Sequence, residues 1–292
     1  MKKWGFIFIL IMCLVIFIMK WGPFDQDKRD SSYHNESIEK GSSNKEVEKS
    51  SFEQITITKI QVYRGNLLLV NSQYPVHKDS VKSDIVKLNN QKDLVNGFVL
   101  NGPIYLSEGI DQKFSEMVKD AEKVGVNHFI INSGYRGFDE QESLYKSMGS
   151  DYALPAGYSE HNLGLSLDVG STQQKMEQAP EGKWIQENSW KYGFILRYPP
   201  DKADITGIHY EPWHIRYVGL PHSKIMYEKN FTLEEYLAYI KKHKEISTSV
   251  DGKEYTISYY PVSKNISIQI PKNHGVDISG NNVDGVIVTI TK

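Results

Sequence analysis

The sequence predicts an α+β fold: helices around a small antiparallel sheet, preceded by an N-terminal transmembrane helix and followed by a small all-β appendage. Three observations predict it. An uncharged apolar run opens the chain, and mixed strand-like and helical patterns then alternate to about residue 245. Beyond that only short alternating strands with Asp-Gly turns remain. A chain of 292 residues can hold one sizeable core, or one core and a satellite. Its formal charge of -2 gives no footing to a general nucleic-acid binder, which would carry a basic excess.

Met1, Lys2 and Lys3 precede sixteen uncharged, mostly apolar residues, Trp4–Met19. As a helix these span roughly 24 Å at about 1.5 Å per residue, slightly short of a bilayer core of about 30 Å. Interfacial Trp4 and Trp21 and a snorkelling Lys20 make up the difference. Two leading lysines place the N-terminus in the cytoplasm and the rest outside. A cleaved signal peptide is the rival, since it shares the charge pattern. No small-x-small site follows Met19, so the sequence favours an uncleaved anchor over residues 1–24 of a single-pass cell-membrane protein. Cys13 is the only cysteine, which excludes disulfides and cysteine nucleophiles from the external portion.

Residues 25–51 are polar and charged and read as a flexible linker. The main domain is expected over 52–245. Alternation through QITITKIQVYRGNLLLVNSQYPV suggests strands. Phe114, Met117, Val118 and Ala121 recur at helical spacing before Gly125, and HFIINSGYR reads as a buried strand entering a loop at Ser133-Gly134. A second helix follows from Phe138 to Met148, closed by Gly149, and a third starts at Pro180. WHIRYVG reads as a strand, and Thr232 with Glu235 makes a capping box for a last helix. Residues 246–292 form the all-β appendage.

In SEHNLGLSLDVG, Leu165, Leu167 and Val169 fall on one face of a two-residue repeat, with Ser166 and Asp168 on the other. The leucines can bury while Asp168 looks into a cleft, and Gly164 lets the backbone bend to bring His161 to the same side. A second stretch, TGIHYEPWHIRYVG, offers Glu211 and His214, with His214 and Arg216 sharing a strand face. His161, Asp168 and His214 thus make three candidate metal ligands with Glu211 left over. Three protein ligands and an open position suit a catalytic zinc ion, which would polarise a carbonyl and lower the pKa of its water towards about 7. A free carboxylate nearby would move that water's proton to a leaving amine, so the composition points to amide hydrolysis. His/Asp pairs at this spacing are common without a metal, and His209, close to Glu211, is the competing ligand candidate.

The motif Ser159-x-His161-x-x-Gly164-x-Ser166-x-Asp168, preceded by Ser133-Gly134-Tyr135-Arg136 and followed by Glu211-Pro212-Trp213-His214, resembles the VanY-type D,D-carboxypeptidases. These belong to the group of zinc peptidases that includes VanX and hedgehog-like domains. The resemblance covers about residues 55–245. It implies one Zn2+ per chain on His161, Asp168 and His214, Glu211 as catalytic base, and Arg136 stabilising the oxyanion and orienting substrate. Gln141 and Ser159 are expected to touch the substrate's terminal alanine and carboxylate, with Gly134 and Tyr135 completing the substrate-binding set. Away from the resemblance, Gln141 could equally be a solvated helix residue, and Trp213 a core residue. Ser166 stands where many relatives carry alanine and, being small, is expected to cause no loss. The activity implied is removal of the terminal D-Ala from peptidoglycan precursor peptides ending in D-Ala-D-Ala, by a membrane-tethered monomer with its catalytic domain extracellular, contributing to vancomycin resistance. An L,D-carboxypeptidase or endopeptidase on the same scaffold would share every ligand. A non-catalytic cell-wall-binding module would need no Glu211.

Overall fold

The structure is a computed structural model, and it describes residues 51–91, 93, 95–149 and 153–292. The predicted anchor and nearly all of the predicted linker lie outside the described residues. Among those described, no helix is long and apolar enough to cross a membrane.

The central element is a five-stranded sheet with the order β3-β5-β6-β8-β7. Its strands are β3 (Phe98–Leu100), β5 (Phe129–Ser133), β6 (Ser166–Ser171), β7 (Phe194–Leu196) and β8 (His214–Tyr217), while β2 (Ile85–Lys87) and β4 (Tyr105–Ser107) form a separate pair. The expectation of a purely antiparallel sheet needs correction, because β3 and β5 run parallel. The cause is the long helix between them, α1 (Glu108–Glu122), which carries the chain back to the starting edge. Ile110, Phe114, Met117, Val118 and Ala121 of α1 are buried against the sheet. Edge-to-face contacts run from Phe98 to Phe114, Phe129 and Trp184 at 5.1, 6.4 and 6.5 Å between centroids.

Among the described residues four longer helices follow, α2 (Phe138–Met148), α3 (Pro180–Asn188), α4 (His222–Lys229) and α5 (Leu233–His243), with a single helical turn at Ala203–Thr206. The predicted capping box of α5 is closed in both directions, Thr232 Oγ1 accepting from Glu235 N and Glu235 Oε2 from Thr232 N. Helix α4 was not foreseen in the sequence. Its residues Ile225 and Met226 are buried while Tyr227 and its charged neighbours are exposed, so its apolar signal is short.

The C-terminal strands are β9 (Glu245–Val250), β10 (Lys253–Pro261), β11 (Ile266–Pro271), β12 (Gly275–Gly280) and β13 (Gly285–Thr291). Four of them form a sheet ordered β12-β13-β10-β9, and the predicted Asp-Gly turn joins β9 to β10 with positive φ at both Asp251 and Gly252. The fifth, β11, pairs with β1 (Phe52–Ile57), so the first strand of the folded chain belongs with the last ones. The remaining strands expected between residues 58 and 76 do not form. Residues Lys59–Tyr63 are a 3₁₀ turn, and Leu67–Val70 run extended without a ladder. Their side chains alternate between two cores: Leu68 and Val70 pack with the five-stranded sheet, Leu67 and Leu69 with α4, α5 and the C-terminal sheet.

Candidate metal centre and active site

Strand register assembles the site. Asp168 on β6 lies opposite His214 on β8, and Ser166 lies opposite Arg216. On the other side of β6, Ser133 of β5 is opposite Asp168. Leu165, Leu167 and Val169 are fully buried, as the two-residue repeat requires, which turns Asp168 to the other face.

His161 arrives from a 3₁₀ turn, Glu160–Leu163, which Ser159 caps by accepting from His161 N at 3.3 Å. Gly164 ends the turn at φ +79, a left-handed backbone that favours glycine, and a Cβ there would press on Ile85 Cδ1 at 2.5 Å. Two carboxylate–imidazole contacts result. His161 Nε2 is 3.3 Å from Asp168 Oδ2, and His214 Nδ1 is 3.1 Å from Asp168 Oδ1. Donor atoms of the three residues all lie within 4.8 Å of one another. The two imidazole rings stand edge to face at 5.0 Å.

These residues fit a zinc ion. Two imidazole nitrogens and one carboxylate oxygen form an open donor set of the catalytic kind. The outer nitrogen of His161 is already occupied: Nδ1 bonds the Gly134 carbonyl at 2.7 Å, leaving Nε2 for the cluster. His214 is turned the other way, with Nδ1 towards Asp168 and Nε2 towards Glu160. Burial alone would raise the Asp168 carboxyl, but His161 and His214 outweigh it and hold the group far below the ordinary range. Burial likewise disfavours the His214 imidazolium, and the Asp168 and Glu160 carboxylates reverse this, pushing it up to about 9. The site is built to hold positive charge. His209 is exposed and takes no part in the cluster.

Glu211 stands at the entrance, its Oε2 3.8 Å from His214 Nδ1 and its side chain 29% exposed. Burial is the main reason its carboxyl is raised, and the Asp168 and Glu160 charges add to it. Arg136 follows β5. Its backbone N–H donates to the His161 carbonyl at 3.1 Å, and its carbonyl accepts from Asn162 Nδ2 at 2.7 Å. Its guanidinium donates to Gln141 Oε1 at 2.7 Å and Ser133 Oγ at 2.9 Å. Gln141 is almost fully buried, and its amide nitrogen donates to the Leu154 carbonyl. Its polar ends are therefore engaged within the protein, with Arg136 as one partner. Gly134 supplies a carbonyl to His161, and a Cβ on it would meet the Tyr105 carbonyl oxygen at 2.3 Å. Tyr135 is half-buried and its N–H donates to that same Tyr105 carbonyl. Trp213 packs on the main core.

The metal-bearing face of the sheet is covered along β8. His214 and Arg216 are buried, because a second layer of charge covers them. Glu160, Arg197 and Glu234 complete that layer, and none of the three stood out in the sequence. Ser166 is part of it too, its hydroxyl donating to Glu160 Oε2 at 3.2 Å. Concavities elsewhere, one lined by Glu116, Lys119 and Tyr192 and another by Trp190, Tyr227 and Phe231, share no residue with the site.

Residues 103–220 match the VanY family, described as D-alanyl-D-alanine carboxypeptidase. A D-alanyl-D-alanine carboxypeptidase of Enterococcus faecium is 58% identical over 295 residues, covering 99% of this chain and 96% of its own length. The chain belongs to the VanY family. Among solved structures similar to this VanY-family chain is the vancomycin-resistance D,D-dipeptidase VanXYg in complex with a D-Ala-D-Ala phosphinate analogue. It is 33% identical with a TM-score of 0.72, over 82% of this chain and 99% of that one. The LdcB L,D-carboxypeptidase, 34% identical, matches with a TM-score of 0.50 over 58% of this chain and 84% of its own. The residues that gave the VanY resemblance in sequence, from Ser133 to His214, all fall within the matched stretch.

Proposed function

We infer that the protein is a zinc D,D-carboxypeptidase that removes the terminal D-Ala from peptidoglycan pentapeptide precursors ending in D-Ala-D-Ala, and so contributes to vancomycin resistance. The observation that carries this is the His161–Asp168–His214 cluster with the half-buried Glu211 carboxylate beside it. A zinc ion held by these three residues supplies Lewis-acid polarisation of the scissile carbonyl and makes water acidic enough to deprotonate near neutrality.

The chain's own groups do the rest. Glu211 is the base: it accepts a proton from the attacking water and delivers it to the amine of the departing D-alanine. Its raised pKa keeps it basic enough for both steps. Arg136, fixed by Ser133 and Gln141, presents a guanidinium that neither rotates freely nor loses its charge, as an oxyanion or a terminal carboxylate requires. Ser159 and Tyr135 are proposed to line the place of the terminal alanine, and Gln141 to reach it through Arg136. A pure cell-wall-binding module would have no use for Glu211.

The deciding experiment incubates the protein with a muramyl pentapeptide, with and without chelator. Release of one D-Ala, abolished by chelator and restored by zinc, is expected. Cleavage of only an L,D-linked tetrapeptide would transfer the activity to the L,D class, and no metal-dependent release would end the proposal. We further propose a monomer tethered to the cell membrane by residues 1–24, with its catalytic domain outside. Protease added to intact protoplasts should then remove the catalytic part, and protection of it would refute that placement.

A further inference from the structure

Glu160 is a buried carboxylate, its side chain 1% exposed, and it is surrounded by donors. Its Oε1 accepts from Arg197 Nε at 2.8 Å and Arg216 Nη1 at 2.7 Å. Its Oε2 accepts from Ser166 Oγ at 3.2 Å and faces His214 Nε2 at 3.5 Å. That last contact is an ion-pair distance, not a closed hydrogen bond, and Nε2 has no hydrogen-bond partner among the described residues. The two arginines are held from behind. Arg197 grips Glu234 of α5 with both terminal nitrogens, at 3.0 and 2.7 Å, and Arg216 Nη2 donates to the carbonyls of Asn66 and Leu68, both at 3.0 Å.

Such a cluster is hard to explain by stability. Desolvating a carboxylate and two guanidinium groups costs about as much as their attraction returns, and an apolar core of the same volume would often be no less stable. What it does supply is direction. A carboxylate with one oxygen fixed by two arginines and the other by a serine cannot rotate, so it offers His214 Nε2 a single acceptor.

We propose that Glu160 is a positioning residue of the metal centre. With zinc bound, it keeps the one remaining ring proton of His214 on Nε2, leaving the Nδ1 lone pair for the metal beside Asp168. The Arg197–Glu234 pair extends this support to α5, and Ser166 belongs to it through its hydroxyl. The inference rests on the zinc reading above, since it concerns which nitrogen that ion meets. Outer-sphere carboxylates of this kind are worth about 10–100-fold in metal affinity.

Two measurements on the full chain test it. Long-range proton–nitrogen spectra of the zinc-loaded wild type read the ring protons directly, and the His214 proton is expected on Nε2. A proton on Nδ1 would overturn the proposal without any variant. Chelator competition then compares zinc affinity in Glu160→Gln with wild type, where a loss of about 10–100-fold is expected. Glu160→Asp should recover part of it. Folded Glu160→Gln with wild-type zinc affinity would sink the idea. Should Glu160→Gln fail to fold, Ser166→Ala replaces it: a smaller loss of zinc affinity supports the proposal, and an unchanged affinity counts against it. If wild type itself binds no zinc, the metal reading falls and takes this inference with it. If wild type binds and the variants bind equally well, only this inference falls.

Discussion

Asp168 is held between two imidazoles, so its carboxylate stays ionised although the site is buried, whereas Glu211 lies at the rim with its carboxyl raised by burial. Two acids in one site thereby differ in the way the proposed ligand and the proposed base require. Glu211→Gln keeps the shape and can still hydrogen-bond water but cannot take a proton. Zinc content is expected to stay at the wild-type level while kcat for pentapeptide falls about 10²–10⁴-fold, roughly 3–5 kcal/mol of transition-state stabilisation. Metal analysis and steady-state kinetics check both halves, and a kcat within a few-fold of wild type would remove Glu211 from the mechanism. At this scale the three donors were legible, because the alternation in LSLDV dictates which way Asp168 points. Glu160 was not. A glutamate beside a histidine reads as solvated until Arg197 and Arg216, distant in sequence, are seen to close on it. The Gln141–Arg136 contact was hidden for a similar reason, since one polar residue in a helix's first turn shows no sign of the arginine it orients.

Helix α1 carries both the best and the least expected feature among the elements. The spacing of Phe114, Met117, Val118 and Ala121 revealed it, and its role as a crossover explains the one parallel strand pair among the described residues. Yet Asp111 sits on the buried face, with neither carboxylate oxygen bonded among the described residues. Burial, with a smaller contribution from Glu108, pushes its carboxyl up to about 7. A carboxyl raised on folding binds its proton more tightly in the folded state, so stability is highest below the ordinary carboxylate range and falls as pH rises towards about 7. Above that the penalty is constant, at up to about 4 kcal/mol for about three units at about 1.4 kcal/mol each. Asp111→Asn removes the ionisation. Its Tm relative to wild type should be distinctly higher at pH 8.5 than at pH 5, by thermal unfolding at both. An equal difference at the two values would show that Asp111 does not titrate in this window. The segment Leu67–Val70 marks the limit of reading elements from pattern. A continuous apolar run looks like a core strand, but here each residue alternates between two cores, and the backbone is satisfied by Ser279, Asn281, Asn282 and Arg216 instead of a partner strand.

At the scale of the molecule, the sequence divides the folded chain at residue 245, where the helical pattern stops. Contacts across that point are extensive. Strand β1 has β11 as its partner, and Tyr236 and Ile240 of α5 share a core with Ile257, Tyr259 and Ile287 of the C-terminal sheet. His222 on α4 is buried between Tyr236, at 2.6 Å, and Thr289 on β13, at 3.2 Å. Pairings between the two ends of a chain leave no local trace, so a composition shift is all the sequence could offer. The same helix, α5, holds Arg197 through Glu234 and thus reaches the layer behind His214. Removing residues 246–292 would therefore do more than delete an appendage. It would expose the buried faces of α4 and α5, at about 25 cal/mol per Å² of apolar surface returned to water, and leave β1 without its partner. A chain ending at Glu245 is expected to aggregate or to unfold well below the full protein, and calorimetry of the intact protein should give one transition from 51 to 292. The truncated protein's zinc affinity, measured on whatever soluble fraction remains, should fall as well. A truncated chain that melts at the wild-type temperature and binds zinc normally would establish the C-terminal strands as an independent module.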